Sequence, residues 1–541
     1  MAGPVSVAVL VLCAVICAVA FPVLPVAAAD ETVAASDDEP SPSSSALRTA
    51  REQSDAKHFD EAAATLRTAL TSDPKNKDLL SLLARVEAWS RHFDRSIETY
   101  RKLLALDPND AFDRAGYARV LAWSGRHEES IRDFRRAIAA DSTDLESRIG
   151  YARALSWNGD LAGASSEYLR ILKADQGYGD AWLGLATVSR WRRAPTASDA
   201  FARKAAAHGA DRAGLDEERD AIRLALRPML GSGWTRTRER QITSDSTAFK
   251  LETVGGFLQG EATLGRSVGL SARASRLHHW EKNAGGPSST TLNYDLWSSG
   301  AQAALSFLRY YPVQITAGIE ARRFEARSPN VLFPLGQDDD FFGFNTRVWG
   351  YAGRFTPSLA VHRDFLPIKR SPPDVPSDVV VPGGTTAGDL SLRWDWDGRG
   401  NLTGTFTKAT YTDDNERTAL GAEAAYRIRT PRPQLTLSLG SAHTDFSKPS
   451  PSYFTPLESW KHTAGIALAG YAEHAAIDYG ARYQLSYLTS RNFPDIAVNS
   501  WSAYGDAVLF DALPIGVEGY YSVDNHSYRT WGLTLSGSVR W

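Results

Sequence analysis

Between residues 46 and 225 apolar side chains recur every three or four positions, as in Ala115, Ala118, Leu121 and Ala122 and then Ile131, Phe134 and Ile138, with a break at Ser124-Gly125. That spacing predicts pairs of amphipathic helices joined by tight turns. From about residue 228 the period drops to two. Leu390, Leu392, Trp394 and Trp396 alternate with Ser391, Arg393, Asp395 and Asp397. Leu420, Ala422, Ala424, Tyr426 and Ile428 alternate with Gly421, Glu423, Ala425, Arg427 and Arg429, and Ile477, Tyr479, Ala481 and Tyr483 with Asp478, Gly480, Arg482 and Gln484. Such segments predict strands with one apolar and one polar face.

The helical region repeats itself. Trp89, Trp123, Trp157 and Trp191 are spaced by 34 residues, as are Asp73, Asp107, Asp141 and Asp175, and Tyr100, Phe134 and Tyr168. A fixed period of this length is the mark of a stacked array. The pattern resembles the tetratricopeptide repeat: Ala84, Ala118, Ala152 and Ala186 match the small crossing position of its first helix, Ala62, Ser96, Ser130 and Ala164 that of its second, and Pro74 and Pro108 its terminal proline. The resemblance implies a concave surface lined by the first helices, with the tryptophans at an exposed position of it. Arg85, Arg119 and Arg153 stand four residues before Trp89, Trp123 and Trp157, on the same helical face. Two readings are open. Indoles and guanidinium forks repeated along a groove, ending at Trp191, would bind a polymer bearing apolar faces and hydroxyl, carboxyl or acetamido groups. Alternatively, each Trp packs on the next repeat under a cation–π contact.

In the second region the apolar face is rich in Trp, Tyr, Ala and Gly, which suits lipid with aromatic residues at its interfaces better than a soluble sandwich core. We expect about sixteen strands, at 229–240, 247–265, 268–280, 291–308, 312–326, 342–351, 354–366, 385–397, 400–413, 415–429, 433–446, 457–470, 473–489, 497–510, 513–525 and 527–541. Short turns alternate with mostly longer polar loops at 281–290, 327–341, 367–384, 447–456 and 490–496, the rhythm of an even-stranded outer-membrane barrel with both ends on the periplasmic side. Phe341, Phe342 and Phe344 with Asp338, Asp339 and Asp340 fall in one such outer loop, read as a lid, a cation site or, in the first place, ordinary solvated chain. The last strand runs to Trp541 and resembles the signal read by the outer-membrane assembly machinery.

Residues 1–29 carry no charge and include the run VSVAVLVLCAVICAVAFPVLPV before Ala27-Ala28-Ala29, so we expect a signal peptide cleaved before Asp30, with a retained anchor as the alternative. Residues 30–45 mix acids, Ser and Pro and read as a disordered leader. The expected organisation is a periplasmic tetratricopeptide-repeat α-solenoid over 46–227 followed by a transmembrane antiparallel β-barrel over 228–541.

Composition narrows the function. Lys+Arg 60 against Asp+Glu 63 gives a net charge of -3, which lacks the basic field of a nucleic-acid binder. Both cysteines, Cys13 and Cys17, lie in the signal segment, so thiol chemistry leaves with it. His278 and His279 would face opposite sides of a strand, and His362, His443, His462 and His474 have no catalytic or metal context. We expect no enzyme activity, no cofactor and no metal. Candidate lumen groups are Glu320, Arg322, Arg393, Asp395, Asp397, Glu423, Arg427, Arg429, Asp478, Arg482 and Arg540. They read either as weak contacts for a passing solute or as a salt-bridge network that stiffens the wall. Together, export signal, array and barrel resemble the YaiO-type outer-membrane family and, in architecture, the export porins for cellulose and poly-N-acetylglucosamine. That resemblance implies polysaccharide or envelope-glycan export, with outer-membrane lipids, a glycan and periplasmic proteins as partners. The alternative is a plugged barrel anchoring an interaction or receptor protein.

Overall fold

The computed structural model describes residues 42–192, 194–242, 247–264, 268–282, 294–307, 313–326, 339–370, 379–396, 398–429, 433–450, 455–472, 477–509 and 513–540. The signal-peptide segment, most of the leader, Asp338, Asp397, His474 and Trp541 lie outside these residues. Eleven helices come first among them: α1 Pro42–Asp55, α2 Phe59–Ser72, α3 Lys77–Trp89, α4 Phe93–Leu106, α5 Ala111–Trp123, α6 His127–Ala140, α7 Leu145–Trp157, α8 Leu161–Ala174, α9 Gly179–Trp191, α10 Pro195–Ala207 and α11 Arg212–Leu226. Helix α1 thus starts inside the stretch read as leader, at Pro42.

The repeat fixes the helix ends and crossings. Asn76, Asp110 and Asp144 each cap the first helix of a unit, accepting from Leu79 N, Asp113 N and Glu146 N. Every first helix stops at its Trp or two residues short of a left-handed residue, at Lys57, Arg91, Gly125 and Gly159, again 34 apart. The next amide reaches back five residues, as from Arg126 N to Leu121 O at 2.8 Å, closing the helix end. All eight small crossing residues, from Ala62 and Ala84 to Ala164 and Ala186, are fully buried. Tyr100, Phe134 and Tyr168 lie flat on Gly116, Gly150 and Gly184 of the following helix, where a Cβ would come within 2.4 Å of the ring. These contacts make the stack a continuous core.

Sixteen strands follow: β1 Met229–Ile242, β2 Thr247–Leu264, β3 Val268–Lys282, β4 Tyr294–Phe307, β5 Val313–Ala326, β6 Asp339–Gly350, β7 Phe355–Arg370, β8 Val379–Asp395, β9 Gly400–Tyr411, β10 Glu416–Arg429, β11 Gln434–Phe446, β12 Ser459–Ala472, β13 Ile477–Thr489, β14 Ile496–Leu509, β15 Leu513–Asp524 and β16 Tyr528–Arg540. Each pairs antiparallel with its neighbours, and β1 closes on β16 with Met229 opposite Arg540. Sixteen strands about 4.8 Å apart and tilted by about 40° enclose a cylinder roughly 30 Å across.

Alternation puts the apolar side chains outside. Leu390, Leu392 and Trp394 are exposed on the outer wall, while Arg393 and Asp395 face in. Aromatic residues gather at both rims: Phe355, Trp394, Trp396 and Tyr426 stack at the end where the array joins, and Trp280, Trp297, Trp460 and Tyr487 stand at the far end. This is the distribution that lipid selects, and the architecture is consistent with an outer-membrane protein.

One loop expectation is corrected. Asp339, Asp340, Phe341, Phe342 and Phe344 belong to β6, and β7 and β8 run on as a hairpin through much of 367–384. Phe341 is buried, edge-on to Phe365, which stacks on Phe324 at 4.4 Å; Phe342 is outside, and Asp340 receives Arg323 at 3.0 Å. Asp340 is satisfied by a neighbouring strand, so the segment pairs although its composition reads as loop.

Candidate functional site: the array groove and the barrel mouth

The four tryptophans end their helices half exposed, Trp89 at 45% and Trp191 at 39%. Two of the indoles lean on the first residue of the preceding unit's second helix: Trp89 on Phe59 and Trp157 on His127, both at 6.1 Å. The packing is thus on the preceding unit and not on the next repeat, and each indole stays about 39–45% exposed. The arginines diverge. Arg85 lies 5.9 Å from the Trp89 ring and 5.8 Å from Phe112, Arg153 is bound to Asp180 at 2.8 Å, and Arg119 lines the groove.

Arg119, Trp123, Arg153 and Trp157 come together in a groove of about 330 Å³, bordered by Glu146 and Asp211. Tyr178 donates its hydroxyl to Glu146, and burial first, then that carboxylate, pushes the phenol up. Trp157 also lines a second cleft of about 1120 Å³, with Trp191, His127 and Arg132 on the array side and Arg427 and Gln434 on the barrel side. Burial holds His127 below the usual imidazole range, and its Nδ1 is buried with no hydrogen-bond partner among the described residues.

The array and the barrel meet at the turns of the near end. Asp160, fully buried, caps α8 through Gly163 N at 2.8 Å and also receives the Arg354 guanidinium at 2.8 Å. Arg399 pairs with Glu128, Arg192 lies 3.8 Å over the Tyr351 ring, and Arg427 reaches Asn158 O at 3.5 Å. Across the cylinder, Arg540 donates to Ala225 O and Arg227 O at 3.2 and 3.3 Å, placing a cation at the end of α11. The array is therefore tied at the β1–β16 seam and docked on the turns before β7, β9 and β11, about half a circumference away. It lies across the opening.

The described candidates for the lumen stand at inward positions of their strands except Arg429, which a register shift sets opposite the outward Leu435. Arg393, Asp395 and Arg427 lie at the mouth, in or beside a pocket of about 320 Å³ shared with Asp160 and Arg192. Arg393 donates to Asp395 at 2.8 Å. Higher in the cylinder Arg322 binds Glu320 at 2.8 Å and Ser298 at 3.2 Å, and Ser298 leads through His279 to Thr253 at 3.0 Å each. Glu423, Arg429, Asp478 and Arg482 lie on other strands, and Arg540 is spent on α11. The set is thus spread over the whole wall; Arg393, Asp395 and Arg427 gather at the mouth, and of these Arg427 shares a cleft with Trp157 and Trp191.

His278 and His279 do face opposite sides: His278 binds Asp295 outside at 2.7 Å and stacks on Trp297. The sequence reading missed the docking residues Glu128, Asp160, Tyr351, Arg354 and Arg399. A signal existed for one of them. Positions 58, 92, 126 and 160 are equivalent, and only the fourth is acidic.

The tetratricopeptide repeat family model matches residues 54–122 and 121–188. Among curated proteins none matches the chain. Among solved structures, a bacterial polysaccharide outer membrane secretin is similar at 9% identity and TM-score 0.41, over 57% of this chain and 98% of that one. PilW, a type IV pilus biogenesis factor, is 23% identical over 34% of this chain and 86% of its own, with TM-score 0.32. Pseudomonas aeruginosa PilF is 19% identical over 34% and 88%, with TM-score 0.29. The chain is thus a tetratricopeptide-repeat array of helices followed by a closed sixteen-strand antiparallel barrel.

Proposed function

We propose that the chain is an outer-membrane component of polysaccharide or envelope-glycan export, of the YaiO type, with its array in the periplasm. The supporting observation is Trp157. It lines both the groove of the array and the cleft that Arg427 and Gln434 close from the barrel, so a polymer on the array is presented at the mouth. Indole faces hold the apolar side of a sugar ring while guanidinium and amide groups take its hydroxyls. Contacts of this size are weak singly and exchangeable, which flux requires. The mouth is roughly 30 Å wide by strand count, ample for a single glycan chain. The reading assigns no catalytic step and no cofactor to the protein.

A second reading, a plugged barrel anchoring an interaction protein, draws on the array lying across the opening and on the apolar cluster of Leu251, Leu296, Phe324, Phe341 and Phe365 near the far end. Retention of the detergent-purified full chain on a glycan array separates the two. The export reading expects retention to fall about tenfold when Trp157 and Trp191 become Ala; unchanged retention, or none in the wild type, would defeat it.

A further inference from the structure

We propose a sugar-stacking platform on the inner wall of the barrel, made by Tyr504 of β14 and Tyr520 of β15; it rests on the export reading and extends it into the lumen. Trp501 and Val517 are exposed on the outer wall, so Tyr504 and Tyr520, each three residues on, point inward. They are 40% and 43% exposed, so a large part of each ring is open to the lumen.

Both rings are laid against the wall by a directly opposite glycine. Tyr504 pairs with Gly480 and Tyr520 with Gly532, and a Cβ at either glycine would lie 2.3 Å from the ring. A side chain held over a missing Cβ turns one face to the backbone and presents the other toward the solvent of the lumen. Phe257 lies over Gly233 in the same manner, but the Arg273 guanidinium covers it at 3.9 Å and leaves it buried. Tyr504 and Tyr520, laid on their glycines in the same way, stay about two-fifths exposed.

Register sets what surrounds them. Gly480, Tyr504, Glu518 and Thr534 form one row across β13 to β16, and Arg482, Ser502, Tyr520 and Gly532 form the next. Tyr504 and Tyr520 are diagonal neighbours, which places their side-chain origins about 7–8 Å apart. Each row offers one aromatic face, one hydroxyl and one charged group of opposite sign. The C–H face of a pyranose fits the ring, and its equatorial hydroxyls fit Ser502, Thr534, Glu518 and Arg482. The ligand class is a glycan chain of pyranose units, contacted at two points along its length.

The test uses the full chain in planar bilayers with cellohexaose as the probe. Transient blocking of the current is expected in the wild type, with a residence time shortened about tenfold by Tyr504→Ala or Tyr520→Ala and kept within about twofold by Tyr504→Phe or Tyr520→Phe. Gly480→Ala, which must lift the Tyr504 ring, shortens it as well. Equal blocking in wild type and Ala variants, equal loss in the Phe variants, or no blocking of a conducting wild type would each overturn the platform. Should the barrel pass no current, the export reading fails by itself; calorimetric affinity of the same probe for the detergent-purified variants then reads the platform separately, on the same expectations.

Discussion

His127 carries the clearest residue-scale consequence. Its equivalents at positions 59, 93 and 161 are Phe59, Phe93 and Leu161, all apolar, and His127 seats Trp157 as Phe59 seats Trp89. Only this one can take a proton, and burial disfavours the charged ring. Below about pH 6.5 the unfolded chain gains a proton that the folded chain resists, so the array loses stability as pH falls through that value and levels off below the folded pKa. We expect thermal unfolding of the helices, followed by far-UV circular dichroism on the full chain, to show this loss between pH 7.5 and 5.5. His127→Phe should flatten it; an equal fall in the variant would assign the pH effect elsewhere. The sequence showed the position and its period. It could not show that the imidazole would be shut between α6 and Trp157, because that depends on how far one unit rotates on the next.

At the scale of elements, the turn at Asn158–Asp160 does two jobs at once. Asp160 caps α8 and holds Arg354, and a buried carboxylate left without its guanidinium is costly. Asparagine is as good a cap as aspartate but has no charge to offer. Asp160→Asn should therefore leave helix unfolding within a few tenths of a kcal/mol, and Asp160→Ala should lower it by about 1 kcal/mol. Both should release the array, seen as faster hydrogen exchange in the amides around 158–163 and in the turn carrying Arg354. Protection unchanged in both variants would mean the ion pair does not hold the array in place.

The same scale shows where the chain was legible. All sixteen strands could be found by alternation and turn chemistry because one face of each is apolar, and a two-residue period with Leu, Trp and Tyr leaves little choice. The ends of β6, β7 and β8 were misplaced, since beyond the lipid both faces of a hairpin turn polar and the alternation disappears. Asp340 illustrates it: isolated, it reads as loop, whereas opposite Arg323 it is a rung of the sheet. Among candidate site residues, the groove tryptophans were legible by repeat, but the bond of Arg153 to Asp180 and the capping role of Arg540 come from contacts 27 and more than 300 residues apart.

For the whole molecule the central claim is one of assembly: an array laid across the mouth of the cylinder, tied at the β1–β16 seam and pinned by ion pairs half a circumference away on the same rim. Pins of this kind are partly exposed at Arg354 and Arg399, so they can open without unfolding either part. The most direct measurement is the single-channel conductance of the full chain in a planar bilayer, beside the double variant Arg354→Ala, Arg399→Ala. We expect discrete channel openings in the wild type and a larger or more persistent current once the pins are removed. A barrel that stays silent in both proteins would contradict the account.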